Sequence, residues 1–306
     1  MEDRFVAVVG GVNVDIGAQP FAPLTARDSN PGRVRVSLGG VGRNVAHNLR
    51  LLGVPVRLYT ALGGDAYGAQ LARSCAALGI DLSRALRVPD AATSVYLFVN
   101  DERGDMALAV SDMGICDALT PDYLAPLLPE LDTAAAVVLD ANLPEETIRF
   151  LCDRCAAPLF ADPVSTAKAV RLRAVLPRLH TLKPNRLEAE VLSGGRIADR
   201  ADAERAVRSL LARGVCRVFL SLGAEGVLAA EGENLCWQSA APASLRSATG
   251  AGDAMTAALV WAYLRGEPLP RSAALGAAAG AVALESEETI SPQMSAARIL
   301  ARSGLA

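Results

Sequence analysis

Ser247-Ala248-Thr249-Gly250-Ala251-Gly252-Asp253 runs without a break into Ala254-Met255-Thr256-Ala257-Ala258-Leu259-Val260-Trp261-Ala262-Tyr263-Leu264. The second half is apolar on nearly every face, and a helix of that kind has to be buried. Its N-terminus therefore opens inside the protein. The first N–H groups of a helix have no internal partner, and the aligned peptide dipoles favour an anion at that end. Gly250 and Gly252 carry no Cβ, so an anion such as phosphate can approach the backbone of Gly250, Ala251 and Gly252 closely. Asp253, in the first turn, stands beside that hole, where a carboxylate can take a proton from an attacking hydroxyl. An anion hole with an adjacent base is what phosphoryl transfer needs. The same residues also fit a tight turn followed by an acidic residue in the dipole-favoured first turn, and the motif alone does not separate the two.

A chain of 306 residues with 51% apolar and 21% charged content has ample material for an α/β core. The net charge of −3 and the lack of a dense Lys/Arg run argue against a nucleic-acid surface. No segment is long and apolar enough to suggest a membrane span, and the N-terminus leads straight into an apolar strand. A cytoplasmic protein is expected. Cys152 and Cys155 form a lone CxxC inside an amphipathic helical pattern, without a second pair, so they read as reduced buried thiols.

Strand-like runs alternate with helical patterns along most of the chain. Val6–Val9 ends in Gly10-Gly11, and Gly39-Gly40 opens a helix closed by Gly53. Val56–Leu62 reads as one strand, and the helix after Gly63-Gly64-Asp65 stops at Gly79. Further strands are expected at 136–139, 158–161, 180–182 and 215–221, with helices near 145–156, 166–176, 185–193, 202–213 and 273–284. This alternation predicts a doubly wound, mostly parallel sheet flanked by helices, which binds ligands beyond the carboxyl ends of its strands. Asp140-Ala141-Asn142, Asp162-Pro163, Lys183-Pro184-Asn185 and the 222–226 loop all fall there.

Between Thr93 and Asp112 the pattern changes. Two alternating runs flank Asn100-Asp101-Glu102-Arg103-Gly104-Asp105, which predicts a β-hairpin. Together with Arg33–Ser37 it forms a small sheet apart from the parallel one. Asn13 and Asp15 share one face of an extended segment. Asn185 and Glu188, three apart at a helix start, fit a capping box. They also fit a polar pair that holds water around Mg²⁺, and both readings can hold at once.

Thr249-Gly250-Ala251-Gly252-Asp253, the glycine-rich N-terminal region and Asn185-x-x-Glu188 together resemble the ribokinase-like (PfkB) family of sugar and nucleoside kinases, from Val8 to about Leu284. The resemblance implies one kinase domain over 1–306, with a β-sheet lid over the sugar site drawn from about 12–37 and 93–114. It implies Asp253 as general base and Gly250, Ala251 and Gly252 as anion hole. Substrate-binding residues would be Asn13, Asp15, Gly39, Gly40 and Asn44, with Tyr96, Ser111, Asp112 and Asn142 meeting a uracil-type base of a nucleoside. ATP would meet Lys168, Asn185, Ser221, Gly223, Gly226 and Thr249, and Mg²⁺ would lie near Asn185 and Glu188, held through water. Arg43, like Lys168, could reach a phosphate or lie in solvent, whereas His47 and His180 read as structural. Family members that use a monovalent cation carry Asp where this chain has Ser247, so potassium activation is not expected here. The expected partners are a nucleoside and ATP, with neither nucleic acid nor membrane, and a homodimer through the β-lid is a further expectation. Related kinases for ribose, adenosine or a keto-deoxy sugar acid remain alternatives.

Overall fold

Aliphatic runs of four residues, such as Val6–Val9, are too short for helices, and this one is buried on both faces, as parallel strands covered on both sides are. The computed structural model describes residues 4–305; of the expected domain bounds, Met1, Glu2, Asp3 and Ala306 lie outside the described residues. The strands are β1 (Val6–Val9), β2 (Asn13–Pro20), β3 (Gly32–Gly39), β4 (Val56–Tyr59), β5 (Ala61–Gly63), β6 (Leu86–Val88), β7 (Val95–Asn100), β8 (Met106–Asp112), β9 (Ala136–Asp140), β10 (Leu159–Asp162), β11 (Thr181–Leu182), β12 (Arg217–Ser221), β13 (Val227–Glu231) and β14 (Asn234–Gln238). The helices are α1 (Val41–Leu51), α2 (Ala66–Ala77), α3 (Pro121–Leu124), α4 (Leu128–Leu131), α5 (Glu145–Arg154), α6 (Thr166–Ala169), α7 (Arg186–Ser193), α8 (Arg200–Ala212), α9 (Ala251–Leu264), α10 (Leu269–Leu284) and α11 (Ala296–Ser303).

The main sheet has eight strands in the order β14-β13-β12-β11-β10-β9-β1-β4. Pairing is parallel from β4 to β12 and antiparallel at β13 and β14. Side chains alternate between two cores. Val6 and Val8 pack with α1, α9, α10 and α11, while Ala7 and Val9 pack with α5, α7 and α8. The contact of α9 with α10 uses small residues, among them Ala273, Gly276 and Ala277 on α10, which let the helices come close. Phe160 lies in the middle of the sheet, stacked on His180 at 5.3 Å with Tyr263 edge-on to both.

A second sheet, β3-β2-β7-β8, stands apart. Its register puts Asp15, Tyr96 and Ser111 side by side on one face. Val36, Ile16, Leu97 and Val110 line up on the other.

Three features differ from the sequence reading. Val56–Leu62 is two strands, because the chain leaves the main sheet after Tyr59 and β5 pairs instead with β6. The helix expected over 166–176 is a single α-turn, α6, continued by 3₁₀ turns at Val170–Leu172 and Leu176–Arg178; Pro177 disfavours helix at the residue before it. The third is the hairpin β13–β14, turned at Glu231-Gly232-Glu233-Asn234, which adds an antiparallel edge to the parallel sheet. Phe160→Ala should cost about 3–5 kcal/mol, the range for emptying a buried aromatic site. A denaturant titration reads it, and a loss below about 1 kcal/mol would remove Phe160 from the core.

Candidate active site

The carboxyl ends of β9, β10 and β11 and the buried end of α9 bring acidic and cationic groups together. α9 starts at Gly250, whose φ of 83° lies in the left-handed region; a Cβ there would strike the Thr289 carbonyl oxygen. Ala254 bonds back to the Gly250 carbonyl at 2.9 Å. The N–H groups of Ala251 and Gly252 precede that first helical bond and point out of the mouth. From Ala254 to Ala262 the helix is buried throughout, whereas Gly250, Ala251, Gly252 and Asp253 at its mouth are only half-buried and Thr249 is exposed, so the mouth is more accessible than the sequence predicts.

Asp253 keeps some exposure, but its carboxylate faces inward. Asn44 on α1 donates from Nδ2 to Asp253 Oδ2 at 2.9 Å. Burial and repulsion from Asp162 push the Asp253 carboxyl up to about 7; the Asn44 bond and the Lys183 ammonium oppose this, and Asp140 adds repulsion. An acid poised near neutrality is suited to taking up and releasing a proton.

Asp140 is 1% exposed and accepts three backbone N–H groups. Gly11 and Gly42 both donate to Oδ2 at 2.8 Å, and Asn142 donates to Oδ1 at 2.9 Å. One carboxylate thus ties the Gly10-Gly11 turn, the start of α1 and the loop after β9. Asn13 Nδ2 donates to Asp15 Oδ1 at 2.6 Å. Burial raises the Asp15 carboxyl, while Asn13 and the Arg43 guanidinium oppose the shift. Gly39 pairs with Asn13, and Gly40, at φ 96°, would set a Cβ 2.5 Å from the Gly11 carbonyl oxygen.

Lys168 Nζ donates to Asn142 Oδ1 at 2.5 Å. An ammonium only donates, so the Asn142 amide turns its oxygen to Lys168 and its Nδ2 toward Gly11. Ser111 shares the face of Asp15 and Tyr96, whereas Asp112 pairs with Val95 and so projects to the opposite face. Asn185 and Glu188 do form the capping box: Asn185 Oδ1 accepts from the Glu188 N–H at 2.9 Å and Glu188 Oε2 from the Asn185 N–H at 2.8 Å. Burial and Asp162 raise the Glu188 carboxyl, against Lys183 and the Asn185 N–H. Ser221 donates its N–H to the Pro184 carbonyl at 2.9 Å, next to Asn185. Gly223 and Gly226 turn the 222–226 loop with positive φ, and Thr249 donates its N–H to Ser247 Oγ at 3.2 Å.

Sequence reasoning gave no role to Asp140, Asp162, Lys183 or Thr256. Their only signal was position, the first three as polar residues just past strands. Lys183 Nζ lies 3.1 Å from Asp162 Oδ2, both nearly inaccessible, and Thr256 Oγ1 donates to the same oxygen at 3.0 Å. Arg43 reaches neither solvent nor an open phosphate site. It is buried, with NH1 donating to the Leu38 carbonyl at 2.9 Å, because the glycine turns bring β3 against the start of α1. His47 is pushed down to about 4 by burial and the neighbouring Arg43, as a structural histidine would be. Cys152 and Cys155 are free and buried, as read. Among the described residues no group of three or more His, Cys, Asp or Glu side chains is arranged as a metal site, and no helix is long and apolar enough to cross a membrane.

The helix mouth, the raised Asp253 carboxyl and the second sheet stand together at the carboxyl edge of the main sheet, and comparison with known proteins gives the class. The chain belongs to the pfkB family of carbohydrate kinases, whose profile matches residues 3–296. Within it the chain is 37% identical to the pseudouridine kinase of Escherichia coli K12, over 98% of this chain and 96% of that protein. A carbohydrate kinase from Agrobacterium tumefaciens superposes with a TM-score of 0.86 at 29% identity, covering 99% of this chain and 97% of that one. Arabidopsis thaliana ribokinase, solved with ribose and ATP, gives 0.86 at 22% identity over 99% of both chains, which shows the shared fold. The protein is therefore a sugar or nucleoside kinase of the pfkB family.

The Asp253 environment has a consequence for stability. Its folded value, raised from 3.8 to about 7, favours the protonated fold. That contribution is full below the unfolded value and is lost as pH rises through the folded one. Asp253→Asn should therefore be more stable than wild type at about pH 8, with the gap closing toward about pH 4. Denaturant melts across pH test this; a gap that widened on acidification would reject the assigned environment.

Proposed function

We propose that this chain transfers the γ-phosphoryl group of ATP to the 5′-hydroxyl of pseudouridine, giving pseudouridine 5′-phosphate and ADP. The observation that carries the reading is the Asp253 carboxylate at the mouth of α9, bonded to Asn44 and poised near 7. The choice of nucleoside is supported by the 37% identity to a pseudouridine kinase along nearly the whole chain. It is also supported by the polar groups, Ser111 and Asn142, that accompany Asp15 and Tyr96 near the cleft.

In this reading the ribose lies against Asp15, Asn13, Asn44 and the Gly39-Gly40 backbone, where the Asp15 carboxylate accepts from vicinal hydroxyls. ATP lies across the 222–226 loop, with its phosphates toward Asn185, Ser221 and Thr249. As the phosphoryl group moves, the 5′-oxygen loses its proton to Asp253, and the N–H groups at Gly250, Ala251 and Gly252 meet the developing charge. Asn185 and Glu188 would hold a Mg²⁺ through its water shell, since the capping box uses one oxygen of the nearly buried Glu188 carboxylate and leaves the other to accept from a metal-bound water. When bound, magnesium offsets phosphate charge. The sheet β3-β2-β7-β8 acts as the lid of a single kinase domain and excludes water from the transfer.

The far face of that lid favours a homodimer. Val34, Val36, Leu97, Leu108 and Val110 share it, with exposures of 64, 52, 39, 59 and 58%. A contiguous aliphatic sheet face of this kind calls for a cover, and a second copy supplies the same flat surface. Val36→Asp with Leu97→Asp should give monomers by light scattering; a wild type already monomeric at micromolar concentration would reject the dimer.

Phosphate transfer from ATP across pseudouridine, uridine, ribose and adenosine tests the function. Pseudouridine should be preferred, and a preference for ribose or adenosine would move the chain to another branch of the family. Asp253→Asn should retain ATP binding while losing about 10²- to 10⁴-fold in turnover. Near wild-type turnover would reject Asp253 as base. With Ser247 in place of an acidic ligand, K⁺ should add little over Na⁺ at equal ionic strength. Ser111→Ala and Asn142→Ala should erode discrimination against uridine, by up to about 5- to 150-fold if a buried partner for the extra base N–H is lost. An unchanged ratio in both would place base readout elsewhere.

A further inference from the structure

The largest concentration of buried charge in the molecule is not accounted for by the base and the anion hole. Asp140 ends β9, Asp162 ends β10, Asp253 opens α9 and Glu188 sits in the first turn of α7. Repulsion from Asp162 acts on Asp140, Asp253 and Glu188 alike. Carboxylates buried together cannot all ionise unless a cation joins them. Lys183, just past β11, is that cation: 6% exposed, with Nζ 3.1 Å from Asp162 Oδ2. A Cβ built on Gly252 would meet the same Nζ at 3.0 Å, so the ammonium lies against the first turn of α9. Thr256, one turn into α9, bridges Asp162 Oδ2 at 3.0 Å and the Gly252 carbonyl at 3.1 Å.

We propose that Lys183 is a positioning residue of the transfer site, whose ammonium, held by Asp162 against Gly252, supplies the compensating charge at the mouth of α9 and acts through Asp253. The proposal rests on the kinase reading for its consequence in turnover, but not for its geometry. Around Asp253 the charged groups are Asp162, Lys183 and Asp140, with Asn44 as the uncharged donor from α1; Lys183 is the cation among them. Its loss leaves the negative charges uncompensated and makes Asp253 harder to ionise. Gly252 also gains a reason in these terms, because a side chain there would displace the ammonium.

The test follows the Asp253 carboxyl by isotope-edited infrared or NMR titration, and the acid limb of kcat/KM, in Lys183→Met and Lys183→Arg. In Lys183→Met the midpoint should rise by about one unit or more, the effect of removing a neighbouring opposite charge. For a one-unit rise turnover should then fall about fivefold near pH 7 and recover by about pH 9. Lys183→Arg keeps the charge and should hold the midpoint within about half a unit of wild type. A merely structural lysine would change stability or KM without moving that midpoint. Lys183→Met leaves Asp162 buried and unpaired, so the same substitution is also made in the isosteric Asp162→Asn background, where no carboxylate is orphaned. There too the midpoint should lie about one unit above that of Asp162→Asn alone. Coincident midpoints in that pair overturn the proposal. If wild type phosphorylated none of the acceptors, the kinase reading would fall while the titration would still decide the role of Lys183.

Discussion

The ion pair of Lys183 with Asp162 is the contact on which the working edge of the sheet depends. Buried charge is costly unless paired and hydrogen-bonded, and here the pair also receives the Thr256 hydroxyl. Through Thr256 and Gly252 it reaches α9; through β10 and β11 it reaches the centre of the sheet. Three elements distant in sequence are thereby fixed to one another beside Gly252, the residue before Asp253. The second carboxylate clamp, Asp140, does the same for the N-terminal side by holding Gly11, Gly42 and the loop after β9.

Between these two clamps lies the linkage from the small sheet to the transfer site. Asp15 is bonded to Asn13 and lies in the field of Arg43. Arg43 approaches Asn44 Oδ1 at 3.4 Å, and Asn44 bonds Asp253. The start of α1 therefore serves two neighbourhoods at once: its backbone is held by Asp140, and its side chains join Asp15 to Asp253. A displacement of the small sheet would be felt at Asp253 through two residues, Arg43 and Asn44.

Much of this architecture was legible in the chain. The alternation of short aliphatic strands with amphipathic helices specifies a parallel sheet with both faces covered, and the polar hairpin turn between two alternating runs specified a second sheet. The apolar surface of α9 forced its body, from Ala254 to Ala262, into the core. What escaped the reading had weaker periodicity: α6 dissolves into 3₁₀ turns ahead of Pro177, and β13–β14 carries alanines and glutamate where strong strand formers would have announced it.

The sequence by itself determined that the body of the helix behind Asp253 must be buried, because the pattern of apolar residues is local and its consequence is unavoidable. It also contained the Asn185–Glu188 capping box, a spacing of three within one turn. Only the tertiary structure decided that Lys183 neutralises this edge, that Asn44 donates to Asp253 and that Arg43 turns inward. The physical reason is separation along the chain. Asn44 and Asp253 stand 209 residues apart, and Asp162 and Thr256 stand 94 apart. Such pairings have no periodicity to reveal them, since they exist only once the sheet order has brought the ends of β9, β10 and β11 to the mouth of α9.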